Sequence, residues 1–126
     1  MTDGWTGFTP VLVVADAEAS IRFYCDLLGF HEDWIHRFEA DLPAYGCVSR
    51  GPLILHLSEI GGTQNARLFV QIPDVDAVYN EFRTNGLKAE PPQSVPEIHL
   101  RRFNFDDRDG HNITFASELP EPAADA

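Results

Sequence analysis

The sequence predicts an α+β fold built from two copies of one module, a strand, a helix and three further strands, and three observations carry that prediction. Gly51-Pro-Leu-Ile-Leu-His-Leu-Ser-Glu59 is answered 59 residues later (110 − 51) by Gly110-His-Asn-Ile-Thr-Phe-Ala-Ser-Glu118. Each stretch is a short run with an alternating pattern behind a glycine, the mark of a strand leaving a tight turn. Ahead of each lies an apolar run ending in an aspartate: Val11 to Val14 before Asp16, and Leu68 to Ile72 before Asp74. Each aspartate then opens a segment with helical apolar spacing that closes on a glycine. Ile21, Tyr24 and Leu28 precede Gly29, and Val75, Val78, Tyr79 and Phe82 precede Gly86.

In chain order, Met1 to Gly7 is a polar lead-in whose Trp5 is a ring for docking on a partner subunit. Thr9-Pro10 opens the first strand, where a proline fits because it cannot donate to a ladder. Asp16 and Asp74 accept hydrogen bonds from the free N–H groups of a first helical turn, and their charge suits the positive helix end. Gly29 and Gly86 stand where a left-handed C-terminal cap is wanted. From His31 to Tyr45 two strands are expected, with a turn at Asp41-Leu-Pro-Ala44. There Trp34, Ile35, Phe38, Leu42 and Tyr45 alternate with Glu32, Asp33, Glu39 and Asp41. Such rings pack a core or, with acids between them, line a cleft for flat cationic molecules.

The polar segment Ile60 to Asn65 separates the modules. In the second copy Glu90 to Pro96, with three prolines, reads as stiff and non-helical. His99 to Phe105 reads as an alternating strand with His99, Arg101, Phe103 and Phe105 on one face. A turn at Asp106 to Gly110 feeds the last strand. The organisation is thus one domain over 1–126, with module one at about 8–60, module two at about 66–118, and a flexible tail at 119–126.

A chain of 126 residues with 44% hydrophobic and 11% aromatic content holds one domain of ordinary size. Its net charge of −11 and single lysine, Lys88, argue against nucleic acid as a partner, since phosphate binding draws on clustered Lys and Arg. No run approaches the roughly 20 apolar residues that cross a membrane, and no basic-then-apolar leader opens the chain. The expectation is a cytoplasmic protein with no membrane partner, in which Cys25 and Cys47 are reduced, buried thiols.

Pro10-Val-Leu, Asp16, Phe23-Tyr24, Leu28-Gly29-Phe30, Leu55-His-Leu-Ser-Glu59, Phe105 to Gly110 and Ile113-Thr-Phe115 together resemble the vicinal oxygen chelate superfamily. Within its glyoxalase and bleomycin resistance branch, the chain is most similar to the bleomycin-binding resistance proteins, over about residues 8–118. The resemblance implies paired βαβββ modules whose curled mixed sheets surround a cleft, in a homodimer that can exchange its N-terminal strand around Pro10. Superfamily enzymes hold a divalent metal at strand positions that fall here on Thr9, Arg67 and Thr114, with Leu55 as the repeat equivalent of Thr114 and His56 beside it. Thr, Arg, Thr and Leu do not make a metal site.

No histidine spacing matches a compact metal motif, and neither the cysteines nor Ser49, Ser58 and Ser117 sit in a nucleophile context. No cofactor and no catalytic residue is therefore expected. By resemblance, the protein sequesters a bleomycin-like drug, a large cation with a flat bithiazole, in an acidic and aromatic cleft. The expected ligand-binding residues are Trp34, Phe38, Tyr45, His56, His99 and Arg101. Resistance proteins often carry a Trp-Gly pair where this chain has His99-Leu100. Two alternatives stand beside this reading: a metal-dependent lyase or dioxygenase using His56, and a binding module for another small metabolite.

Overall fold

A computed structural model describes residues 4–37 and 39–120. The chain divides into two units between Gln64 and Asn65, inside the polar segment that separates the sequence modules. The expected tail residues 121–126 lie outside the described residues.

In the first unit the elements are β1 (Val11–Val13), α1 (Ala17–Leu28), β2 (His31–Arg37), β3 (Ala44–Arg50) and β4 (Leu53–Ser58). They form a sheet in the order β1-β4-β3-β2, with β1 parallel to β4 and the other pairs antiparallel. Asp16 caps α1 as the sequence predicts, its carboxylate accepting the Ala19 N–H at 3.1 Å. Gly29 ends the helix in the left-handed region at φ 70° and donates its N–H to the Tyr24 carbonyl. The helix buries Ala17, Ser20, Ile21, Tyr24 and Leu28. On the sheet, Leu12, Val48, Leu55 and Leu57 are buried on the side that takes the helix. Gly46 shares that side, where a Cβ would stand 2.8 Å from Ile21 Cδ1, so strand and helix approach closely.

Two polar devices close this unit. The Glu59 carboxylate accepts from the Ala17 N–H at 2.7 Å and from the Ala44 N–H at 3.1 Å, tying the helix start to the start of β3. Thr63 pairs with the outer edge of β1, donating to the Val11 carbonyl at 2.8 Å and accepting from the Val13 N–H at 2.9 Å. That approach requires Gly62, at φ 149°, where a Cβ would lie 2.6 Å from the Val11 carbonyl oxygen.

The second unit repeats the plan with β5 (Arg67–Gln71), α2 (Val75–Thr84), β6 (Gln93–Val95), a 3₁₀ turn (Pro96–Ile98), β7 (Leu100–Asp106) and β8 (Asn112–Glu118). Its sheet order is β5-β8-β7-β6, with β5 parallel to β8. Asp74 caps α2 through the Ala77 N–H at 3.1 Å. At the other end the Gly86 N–H meets the Arg83 carbonyl and the Leu87 N–H meets the Phe82 carbonyl, the two bonds of a Schellman cap with glycine at φ 109°. The core is built of rings: Phe82 packs edge-on against Phe103, Phe105 and Phe115 at centroid distances of 6.2, 6.3 and 5.1 Å. Ser117 Oγ accepts the Val75 N–H at 3.1 Å, the role Glu59 plays for α1.

Several expectations change. The first hairpin turn closes on the Leu42 N–H to Glu39 carbonyl bond, and Ala44 already belongs to β3. The proline-rich stretch contains the short strand β6 and runs into the 3₁₀ turn. His99 is not a strand residue: it sits at φ 56° behind that turn, and β7 starts at Leu100. Leu119, assigned to the tail, donates its N–H to the His99 carbonyl at 2.8 Å. Cys25 is half-buried where a buried thiol was expected, while Cys47 is buried.

The most consequential change concerns register. Asp16 and Asp74 are 58 residues apart (74 − 16), and so are the β1–β4 and β5–β8 pairs, Val11 with His56 and Phe69 with Thr114. The nine-residue similarity at 59 is thus one residue out of step, and a slip of one exchanges the faces of a strand. Leu55 points into the core, and His56 is the structural counterpart of Thr114 without any bulge in β4.

Candidate functional site

Side chains directly opposite one another in a sheet share a face. In the first unit, the row Trp34–Cys47–His56–Val11 crosses β2, β3, β4 and β1 on the face away from α1. Tyr45 lies two residues before Cys47 and so shares that face. Three of the expected binding residues, Trp34, Tyr45 and His56, are brought together there. The Trp34 and Tyr45 rings stack at 5.8 Å and 8°. The His56 ring stands edge-on to both, at 5.4 Å from Trp34 and 5.2 Å from Tyr45. Tyr45 Oη and His56 Nδ1 are 2.8 Å apart. With the phenol donating, the imidazole keeps its proton on Nε2, the nitrogen this bond leaves unused. Trp34 remains 44% exposed, so a large flat surface stays open to solvent on a rigid support.

An acid completes the cluster. The β2–β3 register shifts between Glu32 and Trp34. The extra residue, Asp33, is released from strict alternation. Its carboxylate reaches Cys47 Sγ at 3.6 Å and His31 Nε2 at 4.0 Å. Burial, followed by the charge and hydrogen bond of Asp33, pushes the Cys47 thiol above its ordinary 9.0. Burial and the carboxylates of Glu32 and Asp26 do the same for Cys25. Both groups are therefore thiols at neutral pH, and neither is an activated nucleophile. Sequence reasoning set Asp33 only among the acids between the rings and took Cys47 only as a buried thiol, so neither was an expected binding residue. Period-two spacing from Tyr45 points to Cys47, whereas nothing in the local pattern announces the bulge that turns Asp33.

The remaining expected residues lie elsewhere. Phe38 is outside the described residues. His99 and Arg101 are in the second unit. Arg101 points to the α2 side, where its guanidinium grips the Asp76 carboxylate through two bonds of 2.9 Å and touches Ser94 Oγ at 3.3 Å. That grip holds the Asp76 carboxyl below its ordinary 3.8. His99 is an exposed loop residue.

The positions that the resemblance assigns to a metal hold Thr9 and His56 in the first unit and Arg67 and Thr114 in the second. One imidazole, two hydroxyls and a guanidinium do not fit a divalent cation. Among the described residues no group of three His, Cys, Asp or Glu side chains is placed to hold one. Nor, among them, is any helix long and apolar enough to cross a membrane.

Comparison with known proteins agrees with the fold. A family model described as glyoxalase superfamily protein matches residues 4–107. None of the curated proteins matches the chain. Among solved structures, a glyoxalase-related enzyme from Clostridium phytofermentans is 19% identical, with 94% of this chain and 100% of that one covered, at a TM-score of 0.77. TnmS3, an antibiotic binding protein from Streptomyces sp. CB03234, is 20% identical over 94% and 99% of the two chains, at 0.75. The bleomycin-binding protein of bleomycin-producing Streptomyces verticillus, complexed with copper(II)-bleomycin, is 22% identical over 95% and 100%, at 0.67. At these identities the likeness establishes the fold, and the fold serves both an enzyme and antibiotic binders.

Proposed function

The chain belongs to the glyoxalase superfamily, and from that premise we propose that it sequesters a flat, cationic, bleomycin-type antibiotic, without altering it, on the open face of its first sheet. The observation that carries this reading is the stacked Trp34–Tyr45 pair, braced by His56 and flanked by Asp33, with the indole still 44% exposed. A planar cation laid on the indole gains dispersion and the attraction of the ring face for positive charge. The net charge of −11 draws it in. His56, through Nε2–H, donates a hydrogen bond to a ligand carbonyl. The donor set at the metal positions favours this over metal-dependent chemistry.

The reading includes a cytoplasmic homodimer, in which the rings of Trp5 and Phe8, 88% and 92% exposed in one chain, bear on a second copy. Exchange of the strand around Pro10 would reproduce the Val11–His56 to Val13–Ser58 pairing between chains.

The test is a titration of metal-stripped protein with metal-free bleomycin, read by tryptophan fluorescence and by heat, with sedimentation of the same sample. One drug per chain and two chains per particle are expected. Trp34→Ala should weaken binding by about tenfold, the order of one aromatic and cation contact. Equal affinity of the two proteins removes the drug from this face, and a particle of one chain at saturating drug removes the dimer. A stoichiometric metal in untreated protein that fails to bind drug would redirect the reading to a metal enzyme built on His56.

A further inference from the structure

The second unit has an open face of a different kind. Arg102, Asn104 and Asp106 of β7 lie opposite Ala116, Thr114 and Asn112 of β8, on the side away from α2. Beside Arg102, directly opposite it on β6, is Gln93. Of these, Arg102, Asn104 and Gln93 border a concavity of about 230 Å³ whose wall also includes Glu90, Pro91, Val95 and Phe103. The two consecutive arginines of β7 differ in one respect. Arg101 is bound at both ends of its fork by Asp76. Arg102 makes no ion pair and no side-chain hydrogen bond among the described residues, although it is half-buried.

A half-buried arginine whose guanidinium has no acceptor among the described residues, in a chain with 20 acidic residues and nine basic ones, is a group kept apart from its natural partners. Its planar fork matches the two oxygens of a carboxylate. Gln93 on one side and Asn104 on the other share that face and the cavity lining, and each carries an amide that can donate. Pro91 and Val95 supply an apolar wall for whatever the carboxylate is attached to. The volume lies below the roughly 300–1,000 Å³ of pockets that enclose drug-sized molecules, so the occupant is small. Glu90 bears on charge: it lines the same concavity yet does not pair with Arg102 within 4.0 Å. Arg102 and Glu90 leave the lining with no net charge, so the attraction for a carboxylate comes from the direct grip of the Arg102 fork, and a second negative charge is opposed.

We propose that Arg102, Gln93 and Asn104 form a binding site for a small monocarboxylate with a short or flat apolar body. This site is built from residues of the second unit, and the proposal does not rest on what the first unit binds.

The experiment uses the full chain labelled with ¹⁵N and three probes: benzoate, its neutral counterpart benzamide, and inorganic phosphate. Benzoate alone should move the Gln93 and Asn104 side-chain amide signals and the Arg102 Nε–H signal in a saturable way. Arg102→Gln should weaken benzoate by about tenfold or more, the scale of a lost charge-assisted pair. Asn104→Asp places a carboxylate beside the guanidinium and should give a comparable loss with Arg102 still present. The dispersion of each variant's spectrum reports its folding, and Asn104→Asp decides the matter if Arg102→Gln does not fold. Equal shifts from benzamide or from phosphate overturn the carboxylate assignment. Unchanged benzoate binding in a folded variant overturns the site.

Discussion

The two units share one plan and place most of the aromatic rings borne by their sheets on opposite sides of it. In the first, the side of the sheet that takes the helix is mainly aliphatic, with Leu12, Val48, Leu55 and Leu57 buried. Its stacked rings, Trp34 and Tyr45, lie on the open face. In the second, Phe103, Phe105 and Phe115 form a stack under Phe82. The open face there carries Arg102, Asn104 and Thr114 around the single exposed ring of Phe69. The backbone pattern specifies only which positions are inside. Which side receives the rings decides whether they are sealed in the core or left open to solvent.

Removing one ring from each side tests that contrast, and the core ring gives the largest effect. Phe82 is 1% exposed and meets three other rings. Phe82→Ala should cost about 3–5 kcal/mol, transfer plus cavity. Trp34→Ala, on the open face, should cost about 1 kcal/mol or less of stability while weakening drug binding about tenfold. Urea melts followed by far-ultraviolet circular dichroism measure both. Similar losses for the two would break the assignment of ring to role.

A finer cut spares the stack and removes one hydrogen bond. Tyr45→Phe keeps the ring against Trp34 and deletes only the 2.8 Å link to His56 Nδ1. The stability loss should be about 0.5–1.5 kcal/mol, that of one hydrogen bond. The sharper readout is the His56 ring in ¹⁵N spectra. The wild type should show the Nε2–H tautomer and the variant a mixture of tautomers. An Nδ1–H tautomer in the wild type would mean that the imidazole donates to the phenol and has no N–H left for a ligand.

Helices were the legible part of this chain, because their signals are local. Asp16 and Asp74 cap, and Gly29 and Gly86 terminate, through bonds made within a turn of themselves. Strand register was less legible, since it depends on turn length. Arg50 faces Leu53 across a tight turn, whereas Asp106 faces Asn112 across a longer loop. That difference put the visible repeat one residue out of step and set Leu55 in the place of His56. Trp34, Tyr45 and His56 could be anticipated as a group, whereas Asp33 joins them through a bulge that no spacing predicts. Arg101 shows a further limit. Alternation sorts residues into two faces without saying which face the helix will cover, so the arginine expected in a cleft lies against Asp76, and its neighbour Arg102 is the one that faces outward.

The smallest effect follows from that pair and separates the two arginines by pH. Arg101's hydrogen bonds, and then its charge, hold the Asp76 carboxyl below 3.8 in the folded protein. A carboxyl with a depressed folded value binds fewer protons in the native than in the unfolded state, so its stabilisation is present in full above the unfolded value. It is lost as pH falls through the folded value. Asp76 is about half exposed, so solvent screens the pair and the contribution is small. Asp76→Asn should therefore lower stability slightly at pH 7 and converge with the wild type at the acid end of a pH series of urea melts. Arg102→Gln, with no internal partner to lose, should run parallel to the wild type throughout. A wild type and an Asp76→Asn variant that differ by the same amount at every pH would show that the Arg101 grip adds nothing in solution, and the two arginines of β7 would then both be open to ligand.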